Sequence, residues 1–245
     1  MYLVGIDCAT KPCDVGIALA DLAEMGDPVQ IREVHAGISD PWGRVADWLS
    51  DLAGRNVLVA LDAPLGWPIG LGEALREHSA GKPVGKCPND LFRRLTDRCI
   101  RDRLGKQSLD VGADRIARTA HAALKELDAL RERTRNSIPL AWRHDNLGGV
   151  HAIEVYPAAT LKSHGIPCGV YKEKKNPDHK RARKEIANNL PGVCLAGDCQ
   201  DTAIDNADGL DAVVCVLAAA DFVRGDASPP PDICVARREG WIWCR

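Results

Sequence analysis

Two short apolar runs, each followed directly by an aspartate, constrain the fold of this chain more than any other feature. The run from Leu3 to Ile6 precedes Asp7, and the run from Val57 to Leu61 precedes Asp62. A short, continuous apolar run is typical of a strand that is buried on both faces. Both runs are therefore predicted to be central strands of a sheet that helices cover on both sides.

The spacing of apolar residues predicts the remaining elements. Further strands are predicted at 14–20, 29–36 and 150–155. Helices are predicted at 42–52, 88–104, 111–135, 177–190 and 205–223. A short hairpin around Glu239 and Gly240 is predicted at the end of the chain, because apolar and aromatic residues lie on both sides of this pair.

The order of these elements predicts the fold class. Three strands joined by short turns favour an antiparallel meander, and the helix after them can carry the chain to a parallel partner of the first strand. We therefore expect an α/β mixed sheet, an antiparallel meander plus parallel strands, with helices on both faces. One domain is expected over residues 1–245, with a helical insertion at about 66–148.

The charge balance limits the classes of partner. The 32 Lys and Arg side chains face 34 Asp and Glu, a net charge of −2, so the surface as a whole lacks the positive field of many nucleic-acid binders. Two local segments, 93–106 and 172–184, are basic nevertheless, although such runs are commonly solvated helix faces. The candidate phosphate-binding residues in them are Arg94, Arg98, Lys172, Lys174 and Lys175.

The composition also predicts the compartment. No run reaches the roughly 18 apolar residues that cross a bilayer, and the chain begins with a strand-like run and has no basic and apolar leader. The ten cysteines include no Cys-x-x-Cys pair and several lie in apolar runs. We expect a cytoplasmic protein with reduced thiols.

Acidic side chains recur where the predicted strands end. Asp7 and Asp62 end the two apolar strands, and Glu154 lies near the end of a later one. Asp208 and Asp211 are three residues apart in the last long helix and so share one face of it. Because the carboxyl ends of neighbouring parallel strands meet at one edge of a sheet, these acids are expected to converge in one crevice.

Converging carboxylates favour a bound cation, since they otherwise repel one another. Ligands that are all oxygen select hard ions, so Mg²⁺ or Mn²⁺ is expected in preference to zinc. Two such ions about 3.5–4 Å apart can activate water and stabilise the leaving oxygen in phosphodiester cleavage. Asp205 is interpreted differently, as a cap or first-turn acid of the last long helix.

Six short motifs resemble those of one protein family. They are Gly5–Asp7, Ala60–Gly66, Arg94–Arg98, Glu154–Ala158, Asp208–Ala212 and Glu239–Ile242. From Leu3 to Trp243 the chain resembles the family described as predicted nucleases of the ribonuclease H fold, the domain of unknown function numbered 429. The resemblance implies a ribonuclease H-like sheet and a divalent-metal-dependent nuclease acting on DNA or RNA.

The candidate catalytic and metal-binding residues follow from these acids. We expect Asp7, Asp62, Glu154 and Asp211 to hold the metal ions, with Asp208 as an auxiliary ligand. Holliday-junction resolvases of the RuvC type are similar in one detail, since they place acids where Asp7, Asp62, Asp208 and Asp211 stand here. Glu154 matches the family with the six motifs and not the resolvases.

Two other classes of function stay open at this point. An actin-like nucleotide-binding kinase or ATPase shares the meander and the first-strand aspartate, but Ala9 stands where its phosphate loop has glycine. A non-catalytic nucleic-acid-binding protein that keeps the fold is the other alternative. The set of at least four acids argues against it.

Overall fold

The computed structural model describes residues 1–112, 114–173 and 176–245. Strands in this part of the chain form one six-stranded sheet. They are β1 (Tyr2–Asp7), β2 (Gly16–Asp21), β3 (Val29–Ala36), β4 (Val57–Asp62), β5 (Val150–Glu154) and β6 (Val193–Cys194). Their order across the sheet is β5-β4-β1-β2-β3-β6.

The strand directions match the mixed sheet that the sequence predicts. β1, β2 and β3 form an antiparallel meander. β4 pairs parallel with β1, and β5 pairs parallel with β4. The two-residue β6, which no sequence pattern indicated, adds a parallel edge beside β3. This order and these directions are those of a ribonuclease H-like α/β sheet.

Helices lie along the chain before and after the parallel strands. They are α1 (Pro41–Asp51), α2 (Ile69–Leu75), α3 (Pro88–Phe92), α4 (Leu95–Leu104), α5 (Asp114–Thr134), α6 (Pro157–Ser163), α7 (Pro177–Asn188), α8 (Gly197–Asp205), α9 (Ala207–Arg224) and α10 (Ile233–Glu239). The helices α2 to α5 lie between β4 and β5, in the segment where the sequence predicts a helical insertion.

Alternate residues of the central strand face two separate hydrophobic layers. Leu3 packs in the layer that contains α9. Val4 and Ile6 pack in the other layer, against Trp48 of α1 and Leu127 of α5. This alternation follows from the period of two along a strand and explains why β1 is apolar throughout. The helix α9 is itself buried on all sides. No helix in the described ranges is long and apolar enough to cross a membrane.

The structure corrects the prediction of one helix over 205–223. Asp205 ends α8, and Asn206 has an extended backbone (φ −128°, ψ 125°) that separates α8 from α9. The side-chain oxygen of Asn206 accepts a hydrogen bond from the amide of Asp208 at 2.9 Å. Asn206 is therefore the N-cap of α9, and the capping role predicted for Asp205 is wrong.

The predicted C-terminal hairpin is also wrong, since residues 233–239 form α10. The side chain of Asp232 accepts hydrogen bonds from the amides of Cys234 and Val235 at 2.8 and 3.1 Å, which caps the helix. After α10 the chain runs alongside β5, where the amide of Trp243 donates to the carbonyl of Glu154 at 2.9 Å. The segment therefore begins as a capped helix, although its apolar residues favoured a strand.

Two glycines bring α9 into direct contact with the sheet. A Cβ atom on Gly5 of β1 would lie 2.0 Å from the carbonyl oxygen of Ala212, and one on Gly16 of β2 would lie 1.9 Å from that of Asp208. No side chain fits at either position. The backbone of α9 therefore rests on the two strands beside Asp7.

We predict that Gly16→Ala and Gly5→Ala each destabilise the fold, because the new methyl group meets helix backbone and not a movable side chain. The expected loss is about 1–3 kcal/mol or more in the free energy of unfolding, measured by urea denaturation. Gly72→Ala in α2 is the matched control, since a Cβ there has nothing within 4 Å. Equal stability of Gly16→Ala and wild type would contradict the close approach of α9.

Candidate active site

Asp7 and Asp62 are direct neighbours at the ends of two parallel strands. They are partners in the register of β1 and β4, so their side chains point to the same face of the sheet. That face is the one covered by α9, because Leu3 and Leu58, each four residues before the aspartate of its strand, pack in the α9 layer. The alternation of the two apolar runs therefore places both carboxylates under α9.

The first turns of α9 bring two more carboxylates to the same place. The carbonyl of Asp208 lies against Gly16, which is the register partner of Asp7 in the antiparallel pair of β1 and β2. Asp211 lies one turn further along the same helix face. The structure thus brings Asp7, Asp62, Asp208 and Asp211 together, at a helix N-terminus whose dipole favours negative charge.

The electrostatics of this aspartate cluster show a shortage of positive charge. Burial, followed by the carboxylates of Asp211 and Asp62, raises the pKa of Asp7 well above its usual range. Burial also raises the pKa of Asp62, although Lys172 opposes the shift. Buried carboxylates whose pKa values are raised by one another indicate a site that favours a cation.

Two thiols beside the cluster are poor candidates for a nucleophile. Burial, followed by the charges of Asp62 and Asp7, raises the pKa of Cys8 and Cys215 well above the usual value. The thiol of Cys215 donates to the carbonyl of Ile6 at 3.7 Å. A thiol held protonated in this way is unreactive.

Asp211 is held by two residues of the segment before α7. The hydroxyl of Tyr171 donates to Oδ1 of Asp211 at 2.7 Å, and Nζ of Lys172 lies 2.6 Å from Oδ2. Sequence analysis gave Tyr171 no role, because a tyrosine 40 residues before Asp211 in the chain carries no signal of the contact. Lys172, a predicted phosphate-binding residue, lies at the aspartate cluster.

Glu154 lies near Asp62, whose pKa its charge helps to raise, but it has buried partners of its own. It pairs in register with Leu61, which faces the layer of α1 and α5, so its side chain points away from α9. Its carboxylate lies 2.7 and 2.9 Å from the guanidinium of Arg94 and accepts the amide of Leu65 at 2.9 Å. These partners already occupy both oxygens that sequence analysis assigned to a metal ion.

Arg94 is the predicted phosphate-binding residue that the structure contradicts. It is 1% exposed, and its guanidinium also donates to both carboxylate oxygens of Asp97 at 3.1 Å. With Asp97 and Glu154 on either side, the charge of Arg94 is neutralised by two buried carboxylates. A basic stretch in sequence does not distinguish an inward-facing arginine from its solvated neighbours.

Glu239 explains the last of the family-like motifs. Its carboxylate accepts hydrogen bonds from the amide of Ile69 at 2.8 Å and from the amide of Leu95 at 2.7 Å. These are the first residues of α2 and α4, whose amides have no partner within their own helices. The amide of Ile242 donates to the hydroxyl of Thr96 at 2.9 Å. The motif therefore joins the helices between β4 and β5 to the end of the chain.

Of the other predicted phosphate-binding residues, the structure describes Arg98. Arg98 is half exposed on α4, donates to the carbonyl of Arg93 at 3.3 Å and lies 3.9 Å from Asp90. Its guanidinium is therefore accessible to a ligand. Lys174 and Lys175 lie outside the described residues.

A cavity of about 310 Å³ opens over the cluster. Asp7, Asp62 and Lys172 lie on one side, and Leu109 and Ile116, from the segment between β4 and β5, lie on another. Its volume suits one nucleotide-sized group. Within the described residues, no three Asp, Glu, His or Cys side chains stand close enough to hold a metal ion in this arrangement.

The fold and the site define a ribonuclease H-like α/β protein with a cluster of aspartates at the carboxyl ends of its central strands. The family model described as "Protein of unknown function (DUF429)" matches residues 5–233. The chain therefore belongs to the DUF429 family, as the motif resemblance predicts.

Two further comparisons concern individual proteins. Comparison with curated protein sequences gave no match. A structure of T. thermophilus RuvC in complex with Holliday junction substrate is similar over 94% of this chain and 99% of that chain, with 12% sequence identity and a TM-score of 0.40. The fold class rests on the strand order and directions described above.

We predict that Asp7→Asn keeps or raises stability in the presence of a chelator, because it removes one of several mutually repelling buried charges. The expected gain in the free energy of unfolding is about 0–2 kcal/mol, since replacing buried ionic groups is commonly neutral or stabilising. Thermal and urea unfolding measure it, with the exposed Asp51→Asn as control. A loss of about 1–3 kcal/mol would instead mean that Asp7 makes hydrogen bonds that the fold requires.

We predict the opposite sign for Arg94→Met, which leaves Asp97 and Glu154 buried without their cation. The expected loss is about 3–5 kcal/mol. Arg98→Met on the same helix is the matched control and should stay within about 0.5 kcal/mol of wild type, as changes of exposed side chains commonly do. If the two variants unfold at the same urea concentration, the charge of Arg94 does not stabilise the fold.

Proposed function

We propose that this protein is a divalent-metal-dependent phosphodiester hydrolase that cleaves nucleic acid. The observation that carries the proposal is the convergence of Asp7 with Asp62 and Asp211, whose charges raise the pKa of Asp7, with one described lysine against them. If these acids were only structural, we would expect each to have a counter-charge or helix amides as partners, as Glu154 and Glu239 do. A catalytic role accounts for the excess of negative charge.

The chemistry of the donor set fits a hard cation. Asp7, Asp62 and Asp211 supply carboxylate oxygens only, which suits Mg²⁺ or Mn²⁺, and Asp208 is the auxiliary ligand. Such an ion, when bound, lowers the pKa of water and stabilises negative charge on phosphate oxygens. Among the residues that the structure describes, the carboxylates do not stand at the distances of a metal shell, and Nζ of Lys172 lies 2.6 Å from Oδ2 of Asp211.

The side chains around the cluster have positioning roles in this proposal. Tyr171 fixes the carboxylate of Asp211 through its hydroxyl. Glu154 orients the loop that follows Asp62, through the amide of Leu65 and the buried guanidinium of Arg94. We therefore propose Glu154 as a positioning residue, in place of the metal-ligand role expected from sequence.

The cavity and the helices beside it favour a nucleic-acid substrate. Tyr156 lines the cavity near Asp62, and an aromatic ring at such a place can stack on a base. In this proposal Arg98 and the basic residues of 172–184 other than the buried Arg183 provide the phosphate contacts. We further propose that the helices from 69 to 134 act with the sheet as one domain, since Arg94 and Glu239 join the two through buried charged contacts.

Cleavage assays with and without Mg²⁺ or Mn²⁺, over single strands, duplexes, hybrids and junctions, test the proposal. We predict metal-dependent cleavage of at least one substrate. Asp7→Asn and Asp62→Asn should lower the rate by more than about a hundredfold, because removing a residue that only supports a ligand already costs about 10- to 100-fold. Asp51→Asn is the control and should cleave at the wild-type rate.

Absence of cleavage of every substrate, together with tight ATP binding, would favour a nucleotide-binding kinase or ATPase. Nucleic-acid binding without metal-dependent cleavage would favour a non-catalytic binding protein. A thermal shift with metal separates these cases from an unsuitable choice of substrate. A resident metal stabilises wild type by about 2.7 kcal/mol at a hundredfold excess over its Kd, and Asp7→Asn should gain much less.

The salt dependence of binding tests the basic segment. We predict that log affinity falls with log salt, with a slope of about −0.7 to −0.9 for each phosphate contact. Neutralising Lys174, Lys175 and Arg181 together should flatten the slope by the corresponding amount. An unchanged slope would assign these three residues to an ordinary solvated face.

A further inference from the structure

Lys172 stands out among the described lysines because it pairs with a deeply buried carboxylate. Its Nζ lies 2.6 Å from Oδ2 of Asp211, whose side chain is 1% exposed, while the side chain of Lys172 itself is 62% exposed. The same ammonium lies 5.9 Å from the ring centre of Tyr171. The lysine therefore reaches from the surface into the aspartate cluster.

The position of Lys172 is built into the fold. Nη1 of Arg183 donates hydrogen bonds to the carbonyls of Tyr171 and Glu173, the residues on either side of Lys172, at 2.6 and 3.3 Å. Arg183 is fully buried, and its Nε donates to the carbonyl of Ile204 in α8 at 2.6 Å. We call residues 171–173 the lysine strap. Arg183 ties this strap to the helix that immediately precedes α9.

A third contact completes the anchoring of the strap. The amide of Glu173 donates to Nδ1 of His179 in α7 at 2.9 Å. The backbone on both sides of Lys172 is therefore fixed, while its four-carbon side chain is free to change direction. A lysine on a mobile surface loop would not be held at the cluster in this way.

Both oxygens of Asp211 are already in use. Oδ1 accepts the hydroxyl of Tyr171, which is 2% exposed, and Oδ2 is paired with Lys172. A metal ion bound at Oδ2 of Asp211 would stand beside the ammonium of Lys172, and the two positive charges would repel each other. Tyr171 is a packed ring whose burial holds it in place, whereas Lys172 has a flexible stem and an open path to water. Lys172 is therefore the partner that can move away when a metal ion binds.

We propose that Lys172 is the resident counter-cation of the aspartate cluster and that it competes with a divalent metal ion for Asp211. This inference rests on the proposed function, because it requires that the cluster binds a metal. Without metal, the ammonium stabilises the buried carboxylates. With metal bound, Lys172 leaves Oδ2 of Asp211 and its ammonium turns toward the mouth of the cavity.

If Lys172 competes with the metal ion, Lys172→Met should raise the affinity for metal, whereas loss of a metal ligand would lower it. The variant should bind Mn²⁺ about ten- to a hundredfold more tightly than wild type, which is the range a hydrogen bond to a charged group is worth. In chelator it should melt at a lower temperature than wild type, because Asp211 loses its cation. Added Mn²⁺ should raise its melting temperature by more than that of wild type.

The experiment is a Mn²⁺ titration of the full chain, followed by the electron paramagnetic resonance signal of free Mn²⁺ and by thermal unfolding. Lys180→Met is the matched control, since Lys180 is 57% exposed and pairs with Asp205 at 2.5 Å, outside the cluster. It should bind Mn²⁺ as wild type does. Lys172→Arg, which keeps the charge, should not bind Mn²⁺ more tightly than wild type.

The outcomes separate this inference from the proposed function. Tighter Mn²⁺ binding by Lys172→Met, with Lys180→Met unchanged, supports the competition. Equal or weaker binding by Lys172→Met, in a protein whose wild type binds Mn²⁺, overturns the competition and leaves the metal-dependent function intact. An absence of Mn²⁺ binding by wild type and by all variants overturns both.

Discussion

The contact of α9 with the sheet is the constraint on which the rest of the structure depends. Gly5 and Gly16 leave no side chain between the strands and the carbonyls of Ala212 and Asp208. At this distance the acids of the helix stand directly over Asp7. A larger residue at either glycine would push the helix away from the sheet and separate Asp208 and Asp211 from Asp7 and Asp62. The close packing that excludes water from the core also sets the geometry of the site.

Two groups of buried carboxylates lie near each other and differ in how they are neutralised. Glu154 faces Arg94, and Glu239 accepts two helix amides, so each has the partners that a buried charge requires. Asp7 and Asp62 have several carboxylates and only Lys172 as a nearby cation in the described residues, and burial raises their pKa values. The first group stabilises the junction between helices and sheet. The second group favours binding of a cation. For this reason we propose it, and not the first group, as the catalytic site.

Much of the sheet could be predicted from sequence because its signals are local. The strands β1 and β4 are apolar runs, and the aspartate after each run marks where the buried strand ends. Less could be predicted where a residue's surroundings depend on a contact with a residue that is far away in sequence. Arg94 and Glu154 are 60 residues apart and meet only in the folded chain, so one was interpreted as a surface residue and the other as a metal ligand. Asn206 and Asp232 are caps whose effect outweighs the apolar pattern beside them.

The sequence by itself determined the antiparallel meander with a parallel fourth strand, the places of Asp7 and Asp62 at the ends of two strands, and the resemblance to the family, since all three depend on residue types in a fixed order along the chain. The tertiary structure decided which charges are neutralised. It turned Glu154 to the opposite face from α9, buried Arg94, and placed Tyr171 and Lys172 on the two oxygens of Asp211. The physical reason is that the energy of a buried charge depends on the few groups within hydrogen-bond distance. Those groups come from segments that are far apart in sequence.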